Sequence, residues 1–147
     1  MLKPFAFNST SPDTPDGRNW RIFDEASKTL VKNDLVFTNP SGDVTVTRGV
    51  FTLYGPIVFY SITLSVANTA GWTTTAYIDL PYAAANDGTV FVAPHIGTCF
   101  INTAEAWVSY CYLSTIANPN RLNFSSGYTN SSGSTSTPTI TGWYYRN

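Results

Sequence analysis

A chain of 147 residues is long enough for one domain with a real hydrophobic core, and its net charge of −1 gives no field to draw in nucleic acid or an anionic membrane. Aromatic residues make up 15% and charged residues only 12%, so a lone copy would be thinly solvated and much of its surface is expected to be covered by neighbours. No run of apolar residues is long enough for a membrane-spanning helix. Met1-Leu2-Lys3-Pro4-Phe5 leads into polar residues rather than a signal core, which predicts synthesis in the cytoplasm. Cys99 and Cys111 are then expected as free thiols, and the glycosylation sequons at Asn8, Asn123 and Asn130 carry no meaning.

The charges are unevenly spread. Twelve of the seventeen lie at or before Arg48; only Asp79, Asp87, Glu105, Arg121 and Arg146 follow. Residues 1–19 hold Pro4, Pro12, Pro15 and Gly17 among Ser, Thr and Asn, a composition that excludes helix and central strand and predicts an extended segment. A free tail would normally be poor in aromatics. Phe5, Phe7 and Trp20 instead favour an arm that orders against another subunit. Trp20 to Phe37 reads either as a short hairpin turning at Asp24–Ser27 or as one helical segment capped by Asp24. The β-branched and aromatic content favours the hairpin. Asn39-Pro40-Ser41-Gly42-Asp43 is a turn cluster, and the arm is expected to end there, giving an arm over 1–43 and a β domain over 44–147.

Strands are predicted at Val44–Thr47 and Phe51–Tyr54. The organising strand follows at Ile57–Val66, where Val58, Tyr60, Ile62, Leu64 and Val66 alternate with Phe59, Ser61, Thr63 and Ser65. Gly55-Pro56 is the tight turn before it. After a turn at Asn68–Gly71 come Trp72–Leu80, stopped by Pro81, then a turn at Asn86-Asp87-Gly88. Thr89–Ala93, Thr98–Asn102, Ala106–Leu113, Arg121–Phe124 and Thr139–Tyr145 complete the set. Ser125–Pro138 has no periodicity and reads as a flexible loop or a polar crossover. Many short strands separated by turn residues predict an all-β, antiparallel sandwich or barrel. The strands at 106–113 and 139–145 are apolar on both faces, which places Trp107, Trp143 and Tyr145 at an oligomer interface.

Three markers in order resemble one family. Gly49-Val-Phe-Thr-Leu-Tyr-Gly-Pro-Ile-Val-Phe59, then Ile78-Asp-Leu-Pro-Tyr-Ala83, then Ile140-Thr-Gly-Trp-Tyr-Tyr-Arg-Asn147 are similar to the signals of small jelly-roll-like domains in tailed-bacteriophage virion proteins. The likeness covers residues 49–147. Tyr54 stands where the family has isoleucine, and Trp143 widens the closing strand. The resemblance implies a jelly-roll-like trimer on a phage particle, used for capsid decoration, as cement, or in a fibre, and it implies no catalysis. On that reading the homotrimer binds the major capsid protein of the assembled head. The arm residues Phe5, Phe7, Arg18, Trp20, Arg21 and Phe23 make the contact. The alternative is a tail or head fibre module that binds a host receptor or carbohydrate, with Tyr128 facing the ligand.

Candidate chemistry is sparse. His95 is the single histidine, sits between Pro94 and Ile96-Gly97, and reads as a turn residue rather than part of a triad. Cys99 and Cys111 lack the spacing of a zinc site and read as small core residues. Asp79, Asp87 and Glu105 could in principle supply a glycosidase pair, but each is explained by a turn or a strand end. Arg18, Arg21, Lys28 and Lys32 are interleaved with acids and form no nucleic-acid patch. No enzyme, cofactor, metal, nucleic-acid or membrane role is expected.

Overall fold

A computed structural model describes residues 28–32, 34–85, 95–101, 106–114 and 118–146. They form ten strands: β1 (Lys28–Lys32), β2 (Phe37–Ser41), β3 (Val44–Tyr54), β4 (Ile57–Val66), β5 (Gly71–Asp79), β6 (His95–Ile101), β7 (Ala106–Ser114), β8 (Asn118–Phe124), β9 (Tyr128–Thr129) and β10 (Pro138–Tyr145). All the pairings are antiparallel. The order is β1-β3-β4-β10-β6-β7-β8-β5-β2, with β9 on β5. The sheet is not closed, and β1 and β2 are its edges. Phe37, Phe51, Ile62, Ile78, Cys99, Leu113, Leu122 and Ile140, from eight different strands, nevertheless meet in one buried cluster. A sheet this wide can do that only by folding over on itself, as in a β-sandwich.

Two aromatic groups fill the interior. Trp72, Phe37 and Phe124 pack together with ring centroids 5.1–5.6 Å apart, where β2, β5 and β8 meet. Tyr60 lies between Phe51 and Tyr144 across β3, β4 and β10, at 6.5 and 6.1 Å. Tilted or stacked rings at these separations add to the gain from burying their area.

The alternation expected over Ile57–Val66 is present: Val58, Tyr60, Ile62, Leu64 and Val66 are all buried. Tyr54 pairs with Ile57, so Gly55-Pro56 is a two-residue turn, and Gly55 has φ 55°. A positive φ at the first central residue suits the twist of the strands and favours glycine. Arg146 closes this end, its backbone N–H donating to Pro56 O (2.7 Å) and its Nε to Gly55 O (3.2 Å).

Four expectations need correction. The two strands expected at 44–47 and 51–54 are one, β3, with a bulge between Val46 and Arg48 that absorbs the irregularity at Arg48-Gly49. Among the described residues, sheet structure is already present at Lys28–Lys32, within the stretch assigned to the arm. β1 pairs with β3 and β2 with β5, and Phe37 belongs to the core. The density of charge there marks exposed sheet edges, where charge discourages stray pairing, rather than a domain boundary. Asn39-Pro40-Ser41 lies in β2, so the turn narrows to Gly42-Asp43; Asn39, at φ 56°, supplies the bulge. His95 begins β6 opposite Tyr112 instead of sitting in a turn. The hairpin at Asp24–Ser27, the turn at Asn86-Asp87-Gly88 and the strand at Thr89–Ala93 lie outside the described residues.

Gly49 shows how tightly β1 and its connection press on β3. A Cβ there would stand 2.7 Å from Leu35 Cδ1 and 2.9 Å from the Lys32 carbonyl oxygen. Leu35 can shift but backbone cannot. Gly49→Ala is therefore expected to destabilise the fold by about 1–3 kcal/mol, read as a lower urea midpoint at unchanged slope.

Candidate functional site

The outward positions of β4 are Ile57, Phe59, Ser61 and Thr63. Register sets Tyr145, Trp143, Thr141 and Thr139 of β10 beside them on one flank, and Tyr54, Thr52, Val50 and Arg48 of β3 on the other. Phe59 therefore lies directly opposite Trp143, and Trp143 meets Tyr145 edge-on, with centroids 5.7 Å apart and planes at 87°. Thr141 continues the face to Thr98 of β6, and Thr98 to Tyr110 of β7. Phe59 is 47% exposed, Trp143 51%, Tyr145 53% and Tyr110 61%. Every outward position on β4 and β10 is uncharged, and on β3 only Arg48, toward the margin, carries charge. Alternation creates this face, because the strand residues that fill the core force Phe59, Trp143 and Tyr145 to its other side.

Scattered exposed hydrophobics need no explanation, but several large rings gathered on one uncharged sheet face do. Of the expected interface residues, Trp143 and Tyr145 are brought together here. Trp107 is on β7, in register with Phe100. Phe59 was not singled out by its type, although the alternation along 57–66 already assigned it to the outer face. The arm residues Phe5, Phe7, Arg18, Trp20, Arg21 and Phe23 lie outside the described residues.

Tyr128 is half-buried. Its ring lies 4.9 Å from Trp72, and its hydroxyl shares a hydrogen bond with Ser136 Oγ at 3.2 Å. The segment around it has no hydrophobic period but is ordered by hydrogen bonds. β9 pairs with β5, and Ser136 bridges to Val66. Asn130, buried, donates through Nδ2 to the carbonyls of Val66 (2.9 Å), Ala67 (3.1 Å) and Ser134 (2.7 Å). Its Oδ1 accepts from Ser132 N (3.1 Å) and Ser132 Oγ (2.8 Å). The expected polar crossover is therefore pinned. The available signal was Asn130-Ser131-Ser132, since an asparagine often accepts from the backbone two residues on.

The charged residues of the opposite half are engaged with each other. Arg121 Nε is 3.4 Å from Asp79 Oδ1, and its guanidinium lies 3.5 Å over the Tyr77 ring. Among the described residues, no three His, Cys, Asp or Glu side chains gather as a metal site.

Cys99 and Cys111 are both fully buried. Burial pushes the Cys99 thiol from 9.0 up to about 12, and burial followed by the neighbouring Cys99 raises Cys111 as well. Burial also raises Tyr60 and Tyr144. The folded chain holds these groups protonated, whereas the unfolded chain releases their protons from about pH 9 upward. Their contribution to stability is complete below that pH and falls as pH rises through the folded values. The melting temperature is expected to drop between about pH 8.5 and 11. Iodoacetamide near pH 8 should leave both thiols intact in the native protein and modify both in urea, because the thiolate is the reactive form.

No protein-family model matches this chain, nor does any curated protein or solved structure.

Proposed function

We propose that this protein is a structural component of a tailed-phage virion: a capsid decoration or cement protein that binds the assembled head as a homotrimer and stabilises it. One observation supports the reading above the others, the uncharged face carrying Phe59, Trp143 and Tyr145. Its occupant is a second copy of the chain. In a symmetric assembly a charged patch near the axis meets its own copy and repels it, whereas a face of rings and hydroxyls meets its copy without that cost. The resemblance of residues 49–147 to small jelly-roll-like virion domains supports the setting, and the all-β sandwich suits it. Residues ahead of β1, with Phe5, Phe7, Arg18, Trp20, Arg21 and Phe23, then contact the major capsid protein.

A protein that binds only the assembled shell stabilises it by mass action. Purified protein added to undecorated heads of its phage should co-sediment with them and raise their melting temperature. A chain lacking residues 1–19 should stay folded and oligomeric but fail to bind. Binding to host cells in place of heads would instead support the fibre alternative, and a truncated chain that still decorates heads would remove the arm from the account.

A further inference from the structure

The uncharged outer face has two margins, and one row of residues runs between them. Register pairs Val31 of β1 with Val50 of β3, Val50 with Ser61 of β4, and Ser61 with Thr141 of β10. Thr141 continues the row to Thr98 of β6, and Thr98 to Tyr110 of β7. Residues paired across strands share a face, so these side chains stand side by side from β1 to β7. The row begins and ends on large apolar groups left in water, Val31 at 53% exposed and Tyr110 at 61%. No charge interrupts it. Leu30 packs toward the core, so Lys32 lies on that inner side of β1 as well, and β1 presents Thr29 and Val31 outward. The neighbouring row runs Thr29, Thr52, Phe59, Trp143, which places the two central rings between the margins.

A closed ring of three identical chains cannot be made by matching a patch to itself. A self-matching patch joins two chains about a two-fold axis, whereas a three-fold ring needs two different patches, each meeting the other on the next copy. The two must look in different directions and stand at one height along the axis. The margins meet both conditions. The core lies inside the folded sheet, so the outer face is convex across the strands, and β1 and β7 look away from each other. A row crosses the strands, and rotation about an axis along the strands keeps every residue at its height, so Val31 comes level with Tyr110. An aromatic ring beside a β-branched side chain is also a favourable pairing. Given the homotrimer proposed above, on which this rests, we infer that the copies meet margin to margin. Tyr110 of each chain packs against Val31 of the next, and Phe59 and Trp143 turn toward the axis.

The test uses the full chain carrying Val31→Cys and Tyr110→Cys, singly and together, treated with a short bis-maleimide and run on a denaturing gel. The parent is the blank, because Cys99 and Cys111 are fully buried. Within one chain the two positions are five strand spacings apart, about 24 Å along the sheet, beyond a short linker. The double variant should give covalent species of two and three chains and none larger, because the ring closes, while each single variant stays at one chain. Where loss of the ring itself weakens assembly, Val31→Lys with Tyr110→Glu is the second pair. Each of these alone should lower the mass seen by light scattering to one chain, and the two together should restore the trimer. Cross-linked pairs from a single cysteine variant would mean a self-matching contact and overturn the inference. So would a protein that scatters as a trimer while the double cysteine variant stays at one chain, a result that leaves the homotrimer standing. A parent that scatters as one chain would remove the homotrimer itself and this contact with it.

Discussion

Replacing Asn130 with alanine is expected to cost about 3–5 kcal/mol of stability, a large part of what a domain of this size has. Its side chain serves five partners in a buried position: three carbonyl oxygens accept from Nδ2, and the Ser132 backbone N–H and hydroxyl donate to Oδ1. Truncation removes all five, and any of the buried groups that water cannot reach is left unsatisfied. The damage extends beyond the loop, because the Asn130 side chain also holds the Ala67 carbonyl of the Ala67–Ala70 turn. That turn keeps Thr69 at φ 65°, an uncommon conformation for a β-branched residue, and after truncation the backbone bond from Thr69 N–H to the Asn130 carbonyl at 2.7 Å remains. Urea unfolding measures the effect. Ser131→Ala, at an exposed neighbour, should fall within about 0.5 kcal/mol of the parent. Asn130→Asp separates hydrogen bonding from shape. Its carboxylate would face three carbonyls, so its carboxyl pKa should be raised in the folded state. The penalty should therefore be full at neutral pH and partly relieved as pH falls through the acid range. A variant at position 130 as stable as the parent would mean that the crossover is held by the Val66–Ser136 bridge and β9 alone.

How much of this was legible in the sequence depends on the range of the interaction that decides each element. The β4 strand, the Gly55-Pro56 turn and the stop at Leu80-Pro81 are set by period-two patterning and by the dihedral preferences of single residues, and all three are where the sequence places them. The position of β10 between β4 and β6 is set by which surfaces match after collapse, and nothing local in Pro138–Tyr145 encodes it. β2 was hidden for a related reason, whereas β1 lies where the second arm of the favoured Trp20–Phe37 hairpin was expected. Edge strands carry the charge, proline and bulges that keep sheets from pairing further, and these are also the signals of loops. Arg48-Gly49 interrupts the pattern of β3 because a bulge shifts which residues face inward, and only the partner strand reveals that the ladder continues. Ser125–Pro138 looked featureless because its order rests on one amide and several hydroxyls, and hydrogen bonding of that kind has no hydrophobic period. The aromatic face was half legible. Trp143 and Tyr145 were recognised from a strand apolar on both sides, but their proximity to Phe59 is a matter of register between strands far apart in the chain.

That register leads to the second large expectation, which concerns assembly rather than folding. If the protein assembles as proposed, Phe59→Ser together with Trp143→Ser should convert the trimer into single chains, measured by light scattering on a sizing column. Both side chains are about half exposed in the isolated chain, so the substitutions create no cavity in the core, and the melting temperature of the separated chain should change little. Interface aromatics near the centre of a contact typically cost about 2 kcal/mol or more each on truncation, a shift of roughly thirty-fold in dissociation constant. Each single variant should accordingly raise the concentration needed to hold the trimer together, with the pair raising it further. Trp143 and Tyr145 hold each other edge-on, so Trp143→Phe is the informative conservative change: it keeps a ring beside Tyr145 and should retain most of the assembly. Salt separates this contact from a charged one. A face without charge should hold the particle together equally well at low and high ionic strength, whereas an assembly carried by the paired Asp79 and Arg121 or by Lys32 and Asp34 would loosen as salt is added. A parent protein that already runs at the mass of one chain would leave the aromatic face without its occupant and remove the trimer from the proposed function.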